Sequence, residues 1–472
     1  MLNKNNLIEG PIVKSLFALS VPIILANIFQ TLYQLTDTFW VGRLGADAVA
    51  AVSLSFPIIF LLISLGGGLT IAGTILVAQY KGKNDKKNVD YISAQTLLMV
   101  VFVSILVSVI GYFSSPHLIK LMGAEESVLP GAVSYLQISF IGIIFVFSYF
   151  VFQSLMRGVG DVKKPMYIVL GTVVLNFILD PLLIFGYKII PGIGVGGAAI
   201  STIVCEGLAA IIGITMLFSG KYDIHLRKNN FKPDWRLIKK MFNLGFPSSI
   251  EQSARSLGFT FMTFLAASFG TMVIASYGIG TRILSFIIIP SIGLSMATST
   301  LVGQNIGAGK IERAEKISKI SSILSFVVLT VIGIFFFIFA APIAKLFIPG
   351  DALVIQNSAS FIRIMALTFG FIGIQMVING VFRGAGSTYT TMVLSIISLW
   401  VLNLPVAYFL SKYTSLSYSG IWWSFPISNI AAAIIAYIWF LRGTWKKKKI
   451  TEEFKMREEV AEEVIVEEGM QS

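Results

Sequence analysis

Only one cysteine, two histidines and 13% charged residues occur in this chain of 472 residues. The lone Cys205 excludes an intrachain disulfide and any cysteine-based metal site. His117 and His225 both sit in polar connections, which leaves no imidazole at membrane depth for a metal centre or a hydrolase. Carboxylates are equally sparse in the apolar stretches, where the candidates are Asp37, Asp180, Glu206 and Glu251. What is present instead is hydrocarbon. Hydrophobic residues make up 55%, Phe alone occurs 37 times, and the mean hydropathy is +0.82. No water-soluble fold could hide that much apolar surface, so the solvent must be lipid. The first long apolar stretch is one of many and reads as an anchor, not as a cleaved leader.

A net charge of +12 raises the question of nucleic acid, but its placement answers it. Basic residues gather in alternate connections: Lys81 to Lys87, Arg157 to Lys164, Lys221 to Lys240, Lys310 to Lys319 and Lys446 to Lys449. The intervening connections hold little beyond Arg43, Lys120, Lys188, Lys345 and Lys412. Such alternation orients a chain in a membrane, with positive loops and here both termini in the cytoplasm. The partner is a lipid bilayer, and a nucleic acid is not expected.

Apolar runs of about 20 residues predict twelve spans, at roughly 15–41, 46–77, 92–113, 131–155, 166–187, 195–218, 241–268, 272–301, 317–340, 356–381, 389–411 and 419–441. Lipid offers no partner to an open backbone, so all are expected to be helices. The chain also repeats itself about 225 positions on. Ser20-Val21-Pro22 returns as Gly245-Phe246-Pro247, and Arg157-Gly158-Val159-Gly160 as Arg383-Gly384-Ala385-Gly386. The expectation is an all-α integral membrane protein with twelve transmembrane helices in two pseudo-symmetric six-helix lobes. The lobes are read as residues 1–218 and 241–445, joined by a cytoplasmic linker at 219–240. A charged cytoplasmic tail at 446–472 carries four lysines and then eight glutamates.

The repeat is broken where the carboxylates are. Asp37 corresponds to Met262, and Asp180 falls opposite Leu404. A carboxylate at a helix centre in lipid costs about 2.5–3.5 kcal/mol, so a functional role is the default. Gln30, Tyr33, Gln34 and Asp37 share one helical face, and Asn176 and Asp180 lie one turn apart on another. Two such polar stripes meeting in one half would form a pocket able to exchange a proton, or to bind Na⁺ with Asp37 and Asp180 as ligands. Glu251 precedes Arg255 in the favourable i,i+4 order, as a self-satisfied ion pair or as a pair facing substrate. Glu206, one turn after Thr202, is open between a packed acid and a pocket member. Pro22, four turns before Asp37, is a natural kink point.

Together these features resemble the multidrug and toxic compound extrusion (MATE) family. The resemblance is carried by the Pro22, Gln30 and Asp37 spacing, Asn176-x-x-x-Asp180-Pro181, Gly194-Val195-Gly196-Gly197, the twin Arg-Gly-x-Gly motifs and Gln79/Gln304. It covers nearly the whole chain except the tail. It implies antiport of small organic cations against H⁺ or Na⁺, without a cofactor, by a chain acting as a monomer in the inner membrane. It also implies an ion-coupling site of Asp37, Asn176 and Asp180, with Thr202 as a fourth ligand, and a hinge at Pro22. In the second half, span 10 carries Arg363 and no acid, which argues against an ion site there. A lipid-linked saccharide flippase is the alternative. It would favour a strongly cationic cavity, against which the few internal arginines, Arg255 and Arg363, speak.

Overall fold

The computed structural model describes residues 6–188, 190–348, 350–448 and 450–451. Most of the acidic tail predicted from the sequence lies outside the described residues. The helices are α1 (Asn6–Glu9), α2 (Ile12–Gly42), α3 (Ala46–Gly82), α4 (Lys86–Leu121), α5 (Leu129–Val159), α6 (Lys163–Ile184) and α7 (Val195–Phe218). After the linker come α8 (Trp235–Ala267), α9 (Thr271–Gly307), α10 (Ile311–Ile338), α11 (Ala340–Phe347), α12 (Ala352–Ala366) and α13 (Phe369–Gly384). The last are α14 (Thr388–Ile396), α15 (Leu404–Tyr413) and α16 (Ser419–Leu441). A π-helical stretch, Ile397–Asn403, joins α14 to α15. The only strands among the described residues are β1 (Gly186–Tyr187) and β2 (Ile190–Pro191), a short antiparallel pair after α6.

Among the described residues, ten helical segments are long and apolar enough to cross a membrane, or eleven if α12 and α13, bent by 51° at their junction, count as one. The sequence reading of twelve includes α8, which has the length, at 33 residues. Its apolarity is diluted by Glu251, Gln252, Arg255 and a run of serines, because this helix carries a polar site.

Cα packing divides the chain into two compact units. One comprises the described residues of Met1–Ile24 and Ile250–Lys449, the other those of Leu25–Ser249 and Ile450–Ser472. The chain therefore passes between units within α2, after the second residue beyond Pro22, and within α8, after the second residue beyond Pro247. Each proline removes one N–H from its helix, so both passages fall where the backbone ladder is weakest.

In the unit holding Leu25–Ser249, α5 packs on α3, α4 and α7. In the other unit its counterpart α13 packs on α9, α10 and α16. The twin Arg-Gly-x-Gly motifs end these two central helices. A Cβ at Gly158 would come within 3.1 Å of the Thr74 carbonyl oxygen, and one at Gly384 within 2.4 Å of that of Ser299. Gly160 and Gly386 follow in the left-handed region, at φ 89° and 80°. The first glycine of each motif lets two backbones touch, and the second turns the chain out of the helix.

The 219–240 segment is held against α4. Gln95 Nε2 donates to the carbonyls of Asn230 (2.7 Å) and Lys232 (2.8 Å), and its Oε1 accepts from Asp234 N–H. Tyr91 donates to Asp234 Oδ2, and Asp234 Oδ1 accepts from the N–H groups of Arg236 and Leu237 at the start of α8. Asp234 thus satisfies donors that the first helical turn would leave unpaired.

Candidate functional site

In the unit holding Leu25–Ser249, polar side chains from α2, α6 and α7 converge. Asn176 and Asp180 lie one turn apart on α6, both fully buried, with Asn176 Nδ2 donating to Asp180 Oδ1 at 2.9 Å. Asn176 also reaches Ser201 Oγ on α7 at 3.3 Å. The next residue, Thr202, donates to Asp37 Oδ2 on α2 at 3.3 Å. Asp37 and Asp180 are electrostatic neighbours, and Tyr135 of α5 lies within electrostatic reach of both.

The acceptors in this cluster outnumber its donors. Asp37 Oδ1, Asp180 Oδ2 and Asn176 Oδ1 are buried and receive no hydrogen bond. Buried acceptors are ordinarily satisfied, so three in one place mark a site built to receive something. Two neighbouring carboxylates shielded from bulk water repel each other, and one shared proton or one alkali cation relieves that repulsion. Among the described residues no three His, Cys, Asp or Glu side chains converge as transition-metal ligands would. A set of two carboxylates, an amide and hydroxyls is oxygen-only and suits a hard cation.

Other residues singled out in the sequence are placed as follows. Tyr33 is buried one turn before Asp37, and its hydroxyl has no partner. Gln30 is half-buried beside Glu206, whose carboxyl is buried with Oε2 unpartnered. Gln34 lies on the exposed side of α2. It sits about 60° around the helix from Asp37 at 100° per residue, enough to turn it out of the cluster. Pro22 is buried within an unbroken α2. Ser201 and Tyr135 are members that the spacing argument did not select. Ser201 had a detectable signal, standing beside Thr202 on the turn before Glu206.

A second polar cluster stands in the other unit. Glu251 of α8 is 1% exposed, and its Oε1 accepts from Arg383 (2.5 Å), Ser395 (3.0 Å) and Arg255 (3.4 Å). The Glu251–Arg255 pair of the sequence reading is present, but the closer partner is Arg383, from the motif read as a helix end. Arg363 is exposed on α12 and takes no part. At the counterparts of the acidic pair this unit has hydrocarbon. Met262 is fully buried in its core, and Leu404 packs against the same cluster.

Comparison with known proteins adds an independent measure. A family model described as MatE matches residues 22–182 and again 247–409, a shift of 225 at the start, equal to the internal repeat. YpnP of Bacillus subtilis (strain 168), described as a probable multidrug resistance protein, is 31% identical over 444 residues, covering 94% of this chain and 98% of its own. YoeA of the same organism, described in the same words, is 29% identical over 442 residues, covering 93% and 95%. A crystal structure of a MATE protein in complex with MaL6 superposes with a TM-score of 0.88 at 25% identity, covering 95% of this chain and all of that one.

Proposed function

This chain belongs to the MatE family, and from that premise we propose that it exports drug-like organic cations in exchange for H⁺ or Na⁺ by alternating access. It is a multi-pass membrane transporter of the MATE multidrug type and not an enzyme. The observation that carries the antiport reading is the group of three undonated acceptor oxygens on Asp37, Asp180 and Asn176.

The proposed cycle follows from that group. A proton or Na⁺ arriving at the Asp37–Asp180 pair cancels repulsion between the carboxylates and draws α2 toward α6. Thr202 orients Asp37, Ser201 accepts from Asn176, and Asn176 in turn keeps Asp180 in place. The ion shifts the conformational equilibrium only by binding one arrangement of α2 more tightly than the other. Pro22 is the proposed hinge, since it lies beside the passage of α2 from one unit to the other. Releasing the ion restores the negative site and completes exchange. The lobes at 1–218 and 241–445, joined by 219–240, are the proposed moving bodies. The positive loops support an orientation with both termini in the cytoplasm.

The test is dissipation of a pH gradient by ethidium in vesicles reconstituted with the full-length protein, with and without Na⁺. Wild type is expected to dissipate the gradient and Asp37→Asn is not. A response that requires Na⁺ assigns the coupling ion to the metal. A folded wild-type protein that answers no cation would contradict the antiport reading and favour lipid flipping.

A further inference from the structure

The cluster around Glu251 contains one carboxylate and two guanidinium groups, so it carries a surplus positive charge inside a helical bundle. Arg383 lies close to Glu251 and neutralises it. Arg255 is left over, since its contact to Glu251 is 3.4 Å and its other contact is the Met376 sulfur at 3.6 Å. A guanidinium carries five N–H donors in a planar fork that fits an oxyanion, and these two contacts use it poorly. Arg255 is also the more open of the two arginines, at 26% against 16% for Arg383.

Arg255 opens onto a cavity of about 70 Å³ that Glu251 does not line. Gln375, Asn403 and Asn429 contribute amides to its wall, and Phe259 and Phe425 contribute rings. The π-helical stretch Ile397–Asn403 forms part of this wall, through Ser398, Leu399 and Asn403. Such stretches are uncommon and recur at functional sites. The volume suits a headgroup, because pockets for whole drug-sized molecules run about 300–1,000 Å³.

We propose that this cavity is an oxyanion subsite in which Arg255 receives the carboxylate or phosphate of an amphipathic aromatic compound, extending the cargo to zwitterions and anions. The amides supply neutral donors around the oxyanion, and the two phenylalanines meet the apolar body attached to it. The proposal rests on the transporter reading but concerns a different site from the Asp37–Asp180 pair.

Equilibrium binding to the full-length protein in nanodiscs tests it, with rhodamine B, which bears a free carboxylate, and its methyl ester as probes. Wild type is expected to bind the acid at least about tenfold tighter than the ester, the scale of a charge-assisted hydrogen bond. Arg255→Gln should erase that preference by weakening only the acid, and Arg255→Lys should keep part of it. Equal affinities in wild type, or equal loss of both dyes in a variant of unchanged melting temperature, would overturn the proposal. So would loss of the preference in millimolar chloride, which would assign the site to an inorganic anion. Competition from phosphatidylglycerol, present in wild type and absent in Arg255→Gln, would identify a lipid phosphate as the oxyanion. Its absence identifies the soluble cargo. Gradient-driven export of the ester by Arg255→Gln keeps the antiport reading separate. Wild type that binds both dyes in the expected order but moves neither on any gradient would refute antiport and leave the subsite standing.

Discussion

The two units answer the same topological position with opposite chemistry. Where one sets Asp37 and Asp180 side by side, the other sets Met262 and Leu404 into hydrocarbon. Where the second unit has Arg255, the 225-residue shift gives Gln30 in the first. One unit holds carboxylates with acceptors to spare, and the other holds guanidiniums with donors to spare. Duplication has kept the backbone contacts, such as the Gly158 and Gly384 approaches, and released the polar positions to diverge. A symmetric scaffold with an asymmetric charge pattern can bind an ion in one half without binding it in the other.

The comparison is broken most severely at the acidic pair. Asp180→Asn should reduce gradient-driven export to the protein-free background while the melting temperature stays near wild type, because the amide keeps the shape and one acceptor. Retained export in vesicles would show that Asp180 is only packing. Next in size is Arg383→Met, which leaves buried Glu251 with only the longer contact to Arg255, at 3.4 Å, as its guanidinium partner. Removing one member of a buried pair costs about 3–5 kcal/mol. Chemical denaturation should register that loss, whereas Arg255→Gln should cost well under half as much. Equal costs would mean that Arg255, not Arg383, is the neutralising partner.

A smaller effect is expected at Gly384→Ala, whose Cβ would meet the Ser299 carbonyl oxygen at 2.4 Å. Forcing the two backbones apart should cost about 1–3 kcal/mol, read as a lower melting temperature. The smallest is Gln34→Ala, on the exposed side of α2. It should leave export and ion response unchanged, and a clear loss of either would bring Gln34 back into the site.

Much of this arrangement was legible in the sequence. Span positions followed from hydropathy, and the repeat with its missing carboxylates pointed to Asp37 and Asp180. Helical spacing put Asn176 on the face of Asp180, to which it donates, because i and i+4 face the same way in any helix. Other features depend on tertiary structure and leave no local signal. Arg383 reaches Glu251 across 132 positions, from a motif whose glycines drew attention to the helix end. The π-helical stretch has no glycine and no internal proline to announce it. Spacing grouped Gln34 with Asp37, but a shared face of about 100° is wider than the part that the neighbouring helices cover.

The most direct test of the central claim, that the coupling ion binds only at the Asp37–Asp180 pair, is an ion-dependent melting shift of the purified protein. Melting temperatures would be followed against Na⁺ and against pH for wild type, Asp37→Asn, Asp180→Asn and Arg255→Gln, since a ligand bound by the folded state raises its stability. The account predicts a shift in wild type and Arg255→Gln that disappears in both aspartate variants. A shift that persists in Asp37→Asn and Asp180→Asn would place the ion elsewhere and contradict it.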